Sequence, residues 1–133
     1  MTPPAAPARN ILEVANLSLE FSGTAGQVIA LDEVRFTVRQ GEILSLVGES
    51  GCGKSVTAMA IMGLLPRIGT RISGSVKLDD EELLGASERR MRRIRGDRIG
   101  MIFQDPMTSL NPVHTVGMQI GETVRRHRGA SHS

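Results

Sequence analysis

Tryptophan and tyrosine are missing from this chain, and phenylalanine occurs three times in 133 residues. Single-stranded nucleic acid is bound largely by stacking bases on aromatic rings, so no surface of that kind is expected. A formal charge of +2 is too small to argue for a polyanionic partner, although the pI of 9.3 leans basic. Nucleic acid is therefore set aside. The single cysteine, Cys52, cannot form an internal disulfide, which fits a reducing compartment. No apolar stretch approaches the ~18–20 residues that span a bilayer, so any membrane connection is expected to run through a partner. Residues 1–10 have neither a basic start nor an apolar core, and read as a flexible tail rather than a signal peptide. Residues 129–133 are expected to be unstructured. Length and an apolar content of 40% bound the rest to one globular domain at most.

Against these absences stands one dense stretch of information. Gly48-Glu49-Ser50-Gly51-Cys52-Gly53-Lys54-Ser55 fits G-x-x-x-x-G-K-S at every fixed position and directly follows the apolar run Ile43-Leu44-Ser45-Leu46-Val47. Its three glycines let the backbone curl until successive N–H groups point inward, onto a phosphate. The stretch from Lys54 to Leu65 is apolar and long enough for a helix whose positive N-terminal end faces the same phosphates, with Val56 in its first turn. Lys54 would bridge the β- and γ-phosphates, and the Ser55 hydroxyl would hold Mg²⁺. A glycine-rich turn matching by accident is the bland alternative, and the flanking strand and helix argue against it. The chain is expected to bind a nucleoside triphosphate, or to descend from one that did.

The remaining elements follow from periodicity. Ile11 to Phe21 alternates loosely and breaks at 22–26; Val28 to Val38 resumes, with Val34, Phe36 and Val38 at period two. Ile43–Val47 shows little polar alternation, as expected of a parallel strand covered on both faces. The helix after the glycine-rich loop is expected to end near Leu65-Pro66. Ser75 to Leu78 is a short strand followed by the acidic turn Asp79-Asp80-Glu81-Glu82, read as a solvated hairpin turn. Ser87 is a candidate N-cap for a helix running to about Arg95, with Glu88 in its first turn. The stretch from Arg98 or Ile99 to Phe103 reads as a strand stopped at Gln104-Asp105-Pro106, and a helix is expected from about Val116 to Arg126.

Gln104 stands where that strand ends, the place where ligands dock in open α/β sheets. Its carbonyl oxygen suits a metal or water and its amide a neighbouring group. Together, Gly48–Ser55 and Ile102-Phe103-Gln104-Asp105-Pro106 resemble the P-loop and Q-loop of ATP-binding subunits of ABC transporters. The extended match through Met107-Thr108-Ser109-Leu110-Asn111-Pro112 is similar to the dipeptide, oligopeptide and nickel importer branch.

The resemblance covers about Leu12 to Arg128. It implies an α/β P-loop NTPase fold, in which an antiparallel β-subdomain lies beside an incomplete RecA-like core, spanning 11–128 with the P-loop at 48–55 and the Q-loop at 103–108. It further implies ATP and Mg²⁺, held by Gly48, Glu49, Ser50, Gly51, Cys52, Gly53, Lys54, Ser55 and Val56. Gln104 would contribute to Mg²⁺ and the attacking water, and its loop would touch transmembrane permease subunits. A second ATP-binding subunit would complete a dimer at the cytoplasmic face of the plasma membrane. Phe21 is the candidate for stacking on adenine; Phe36, within a strand pattern, is read as core.

The departures from the family pattern are large. No Ser-Gly-Gly run occurs, and after the P-loop no run of four apolar residues is followed by Asp-Glu. The sequence ends before the family's signature motif, Walker B carboxylates and switch histidine, and is read as the N-terminal part of a longer ATPase. These residues offer phosphate cradling without an identified base, so hydrolysis by them alone is not expected. His114, His127 and His132 lack metal-ligand spacing and read as surface histidines. The arginines between Arg89 and Arg98 read as a solvated helix face with Met91 and Ile94 turned inward. Met59 and Met62 read as packing residues. Cys52, near a helix N-terminus, is placed where thiol pKa values fall.

Overall fold

The computed structural model describes residues 8–24, 26–105 and 110–128. Most of the expected N-terminal tail, the 129–133 end and the Q-loop residues 106–108 lie outside them. Described residues fall into two units, divided between Ala86 and Ser87.

The first unit is built on a four-stranded antiparallel sheet. Strands β1 (Asn10–Gly23), β2 (Gly26–Arg39), β3 (Thr70–Leu78) and β4 (Glu81–Glu82) lie in the order β2-β1-β3-β4. Val14, Leu17, Leu19, Leu31, Val76, Leu78 and Leu83 are buried. Strict alternation would put Val14 and Leu17 on opposite faces. Two shifts of register reconcile them. At Asn16, φ 51°, the pairing of β1 with both neighbours slips, so that Leu17 is buried again. Opposite the bulge, Gly74 (φ +107°) leaves no room for a Cβ, which would strike the Asn16 carbonyl group and come within 2.8 Å of the Ala15 oxygen. The tight β3–β4 hairpin turns on Asp79 and Asp80, both at positive φ (49° and 68°), as a type I′ turn requires. The hairpin reading holds, but Glu82 is not merely solvated. Its carboxylate accepts from the Ser75 hydroxyl, from Val76 N–H at 2.9 Å and from Leu84 N–H at 3.0 Å.

Helix α1 (Lys54–Ile61) touches β2 and buries Thr57, Ala60 and Ile61, with Met62 buried just beyond it and Met59 half-buried. It ends earlier than proline alone dictates. Gly63, at φ 61°, closes a Schellman motif in which Leu64 N–H donates to Met59 O (2.9 Å) and Gly63 N–H to Ala60 O (3.1 Å).

The expected strand Ile43–Val47 is not formed. No ladder pairs it among the described residues, and Ile43 and Val47 are 93% and 91% exposed. The same correction applies to Ile99–Phe103, where the only pairing among the described residues is an isolated bridge between Arg95 and Ile99. Both are apolar sequences suited to a parallel sheet, and a strand exists only by exchanging hydrogen bonds with a neighbour.

The second unit carries α2 (Glu88–Ile94) and α3 (Val116–Arg128). Ser87 caps α2 as expected, its Oγ accepting from Arg90 N–H at 3.2 Å, and Met91 and Ile94 are buried. Glu88 binds Arg95 at 2.8 Å and Arg92 at 3.5 Å. Those bonds hold its carboxyl below the usual range, Arg95 contributing most. Before α3, Gln119 takes Asn111 N–H on its side-chain oxygen (2.9 Å) and donates to Asn111 O and His114 O (3.0 and 2.9 Å). One side chain thus fixes the loop that leads into the helix.

Candidate functional site

The loop Gly48–Gly53 joins the unpaired segment to α1, and its glycines are required by geometry at particular places. Gly51 and Gly53 take φ +83° and +92°. A Cβ on Gly53 would lie 2.8 Å from Leu31 Cδ2 and 3.1 Å from Ala30 O, so β2 forms the floor of the loop. A Cβ on Gly48 would collide with Cys52 Sγ. At 53 the loop is thus packed on one buried leucine and a backbone carbonyl, whereas at 48 a Cβ would require the Cys52 side chain to move.

Lys54 bends back over this curl. Its ammonium donates to the carbonyl oxygens of Gly48 and Glu49, at 2.6 Å each, and to Cys52 Sγ at 3.2 Å. Cys52 N–H donates to Glu49 O at 3.3 Å, which closes the turn from inside. The Lys54 ammonium, donating to Cys52, holds that thiol below its ordinary range. Gly53 is the N-cap of α1 and supplies no side-chain hydrogen bond, so the first-turn N–H groups beyond it are not taken by a capping side chain. Ser55 stands exposed in that turn beside the half-buried Val56. A cation and the N-terminus of a helix come together here, both of them partners that suit a polyphosphate.

Three contributors were not anticipated from sequence. Thr57 is 4% exposed, and its hydroxyl donates to Gly53 O at 2.8 Å, pinning the last glycine of the loop to the helix. Leu31 and Ala30 shape the floor. A threonine three residues after the lysine was a readable signal; the leucine was not, because its role depends on β2 passing beneath the loop.

Phe21 is half-buried on β1, paired with Val28 and Thr70. Half-buried Phe36 pairs with Val14, in line with a packing role. Gln104 is exposed and belongs to the second unit, whereas the P-loop belongs to the first. No group of three or more His, Cys, Asp or Glu side chains suited to a metal ion occurs among the described residues. No helix there is long and apolar enough to cross a membrane.

Comparison with known proteins agrees with this geometry. A family model described as ABC transporter matches residues 31–132. The chain is 53% identical over 118 residues to the probable peptide ABC transporter ATP-binding protein y4tR of Sinorhizobium fredii, covering 88% of this chain and 35% of that protein. It is 49% identical over 125 residues to the oligopeptide transport ATP-binding protein OppD of Salmonella typhimurium, covering 94% and 37% respectively. Among solved structures, the dimeric structure of MJ0796, a bacterial ABC transporter cassette, superposes with a TM-score of 0.77 at 25% identity, over 92% of this chain and 51% of that one. The chain thus spans little more than a third of the length of these curated relatives. A family match running through most of the sequence, with relatives near half identity over about nine-tenths of it, places this protein in the ABC transporter family, within its ATP-binding domain.

Proposed function

We propose that this chain binds MgATP through Gly48–Ser55 and forms part of an ATP-binding subunit that powers import of peptides or similar small solutes. The observation that carries the reading is the closed loop, in which a Cβ at 53 would strike β2, Lys54 leans over the curl and α1 begins uncapped. The names of the peptide-transport relatives support the substrate class.

In this reading Lys54 leaves the Gly48 and Glu49 carbonyls for the β- and γ-phosphates, and the loop N–H groups take the remaining phosphate oxygens. Ser55 and Gln104 would hold Mg²⁺, which when bound supplies charge neutralisation across those oxygens. Phe21 would stack on the adenine. The loop around Gln104 would meet transmembrane permease subunits, and a second ATP-binding subunit would pair with this one at the cytoplasmic face of the membrane. In this reading these residues cradle phosphate without turnover, no base having been identified among them.

The test is titration of the chain with a fluorescent ATP analogue and Mg²⁺. Lys54→Ala should weaken binding at least roughly tenfold, since a charge-assisted contact is worth about 1.5–3 kcal/mol. Gln104→Ala should change it far less. Equal affinity for wild type and Lys54→Ala would end the reading. Phosphate release above background that depends on Lys54 would overturn its non-catalytic clause.

A further inference from the structure

The second unit contains a cleft of about 310 Å³ lined by Arg92, Arg93, Asp97, Arg126 and His127. The ATP-binding role does not use it. Arg92 and Arg93 close the last turn of α2, Asp97 follows in the turn, and Arg126 and His127 belong to the last turn of α3. Cations more than thirty positions apart in sequence therefore share one depression.

Three features distinguish it from a solvated basic helix face. First, its wall is packed. Gly96 takes φ +82°, and a Cβ there would lie 2.6 Å from His127 Nε2, so this histidine is seated against the turn after α2. It is half-buried, a correction to its reading as a surface side chain. Second, its charge is unbalanced. Arg92 has Glu88 at 3.5 Å, but Arg93 and Arg126 make no ion pair among the described residues, and neither does Asp97. Three guanidinium groups face one carboxylate. Gathering like charges is unfavourable, and a bound anion reverses that. Third, the size fits, because roughly 300 Å³ is the lower bound of ordinary small-ligand sites. Guanidinium forks match phosphate oxygens in pairs, and a ring N–H of His127 adds a further donor.

We propose that this cleft binds a phosphate oxyanion, with Arg93 and Arg126 as the principal contacts and Arg92 and His127 as supporting ones. The phosphate is either free in solution or the headgroup of an anionic lipid, and the chemistry is common to both. The proposal does not depend on the ATP reading, and its test keeps them apart by using a Lys54→Ala background throughout.

The experiment is calorimetric titration of the full chain with inorganic phosphate, paired with co-sedimentation on phosphatidylcholine vesicles with and without phosphatidic acid. Arg93→Gln and Arg126→Gln should each weaken binding roughly tenfold to a hundredfold, as expected for a charge-assisted bidentate contact. Arg89→Gln removes the same charge from α2 outside the cleft and should stay within about twofold. Arg93→Lys keeps the charge and the helix but loses the fork, so an intermediate loss is expected; it decides the matter if a glutamine variant fails to fold. Binding of phosphate that vesicles do not compete for assigns a soluble ligand. Arg93-dependent binding to phosphatidic acid vesicles assigns a headgroup. No binding in either arm, or equal weakening by Arg89→Gln and Arg93→Gln, overturns the proposal.

Discussion

Alanine at Gly53 tests whether the glycine-rich loop is held by steric contact with β2. The structure separates two costs that usually travel together. At Gly51, φ is +83° and nothing lies within 4 Å of a built Cβ, so Gly51→Ala incurs only the left-handed backbone penalty, about 1–2 kcal/mol. At Gly53, φ is +92° and the same Cβ meets Leu31 Cδ2 at 2.8 Å and Ala30 O at 3.1 Å. Leu31 is 5% exposed and Ala30 O is backbone, so neither retreats freely. Overpacking of this kind adds about 1–3 kcal/mol, giving roughly 2–5 kcal/mol for Gly53→Ala. Tryptophan is absent, so unfolding in urea is followed by far-ultraviolet circular dichroism. The Leu31 share is isolated by a double-mutant cycle. Leu31→Ala alone should cost about 2–5 kcal/mol, and combined with Gly53→Ala the losses should fall short of additive by about 1 kcal/mol. Equal costs at Gly51 and Gly53, or strict additivity with Leu31→Ala, would refute a floor formed by β2.

Two more predictions follow from the charged groups. Lys54 lowers the Cys52 pKa, which raises the thiolate fraction at a given pH, so iodoacetamide should label Cys52 faster in wild type than in Lys54→Ala. Mass spectrometry across pH should show the variant's labelling curve displaced upward; superimposable curves would mean that the Lys54 contact does not persist in solution. Burial opposes ionisation of Glu82, yet bonds from Ser75, Val76 N–H and Leu84 N–H outweigh it and hold the carboxyl below its usual range. A depressed carboxyl contributes stability above its unfolded pKa and loses it as pH falls through the folded value. Glu82→Gln should therefore cost about 1 kcal/mol at neutral pH, the exposed site reducing the value of charged bonds, and less in acid. A cost that does not shrink on acidification would disprove the role of its charge.

Local chemistry made much of the candidate site readable. The curl at Gly48–Gly53 was recognisable because such a loop is set by a few consecutive residues, and Gly48 and Gly53 stand where a Cβ would collide. The Ser87 cap was readable for the same reason. The end of α1 was not, because Gly63 closes it through a Schellman motif before Pro66 is reached. Thr57 and Leu31 were missed because their value lies in what they touch.

By itself, then, the sequence determined the strand rhythm of β1 to β3, the glycine-rich loop, the helix starts and the kinship with ABC transporter ATP-binding domains. Those are written in residue order within short segments, in side-chain period, turn residues and caps. Tertiary structure alone decided that Asn16 bulges to bury both Val14 and Leu17, that Gly74 faces that bulge, and that Arg93 and Arg126 share a cleft. It also decided that Ile43–Val47 is not a strand, although its residues favour one. A ladder is a relation between two chain segments, and no reading of one segment supplies the other.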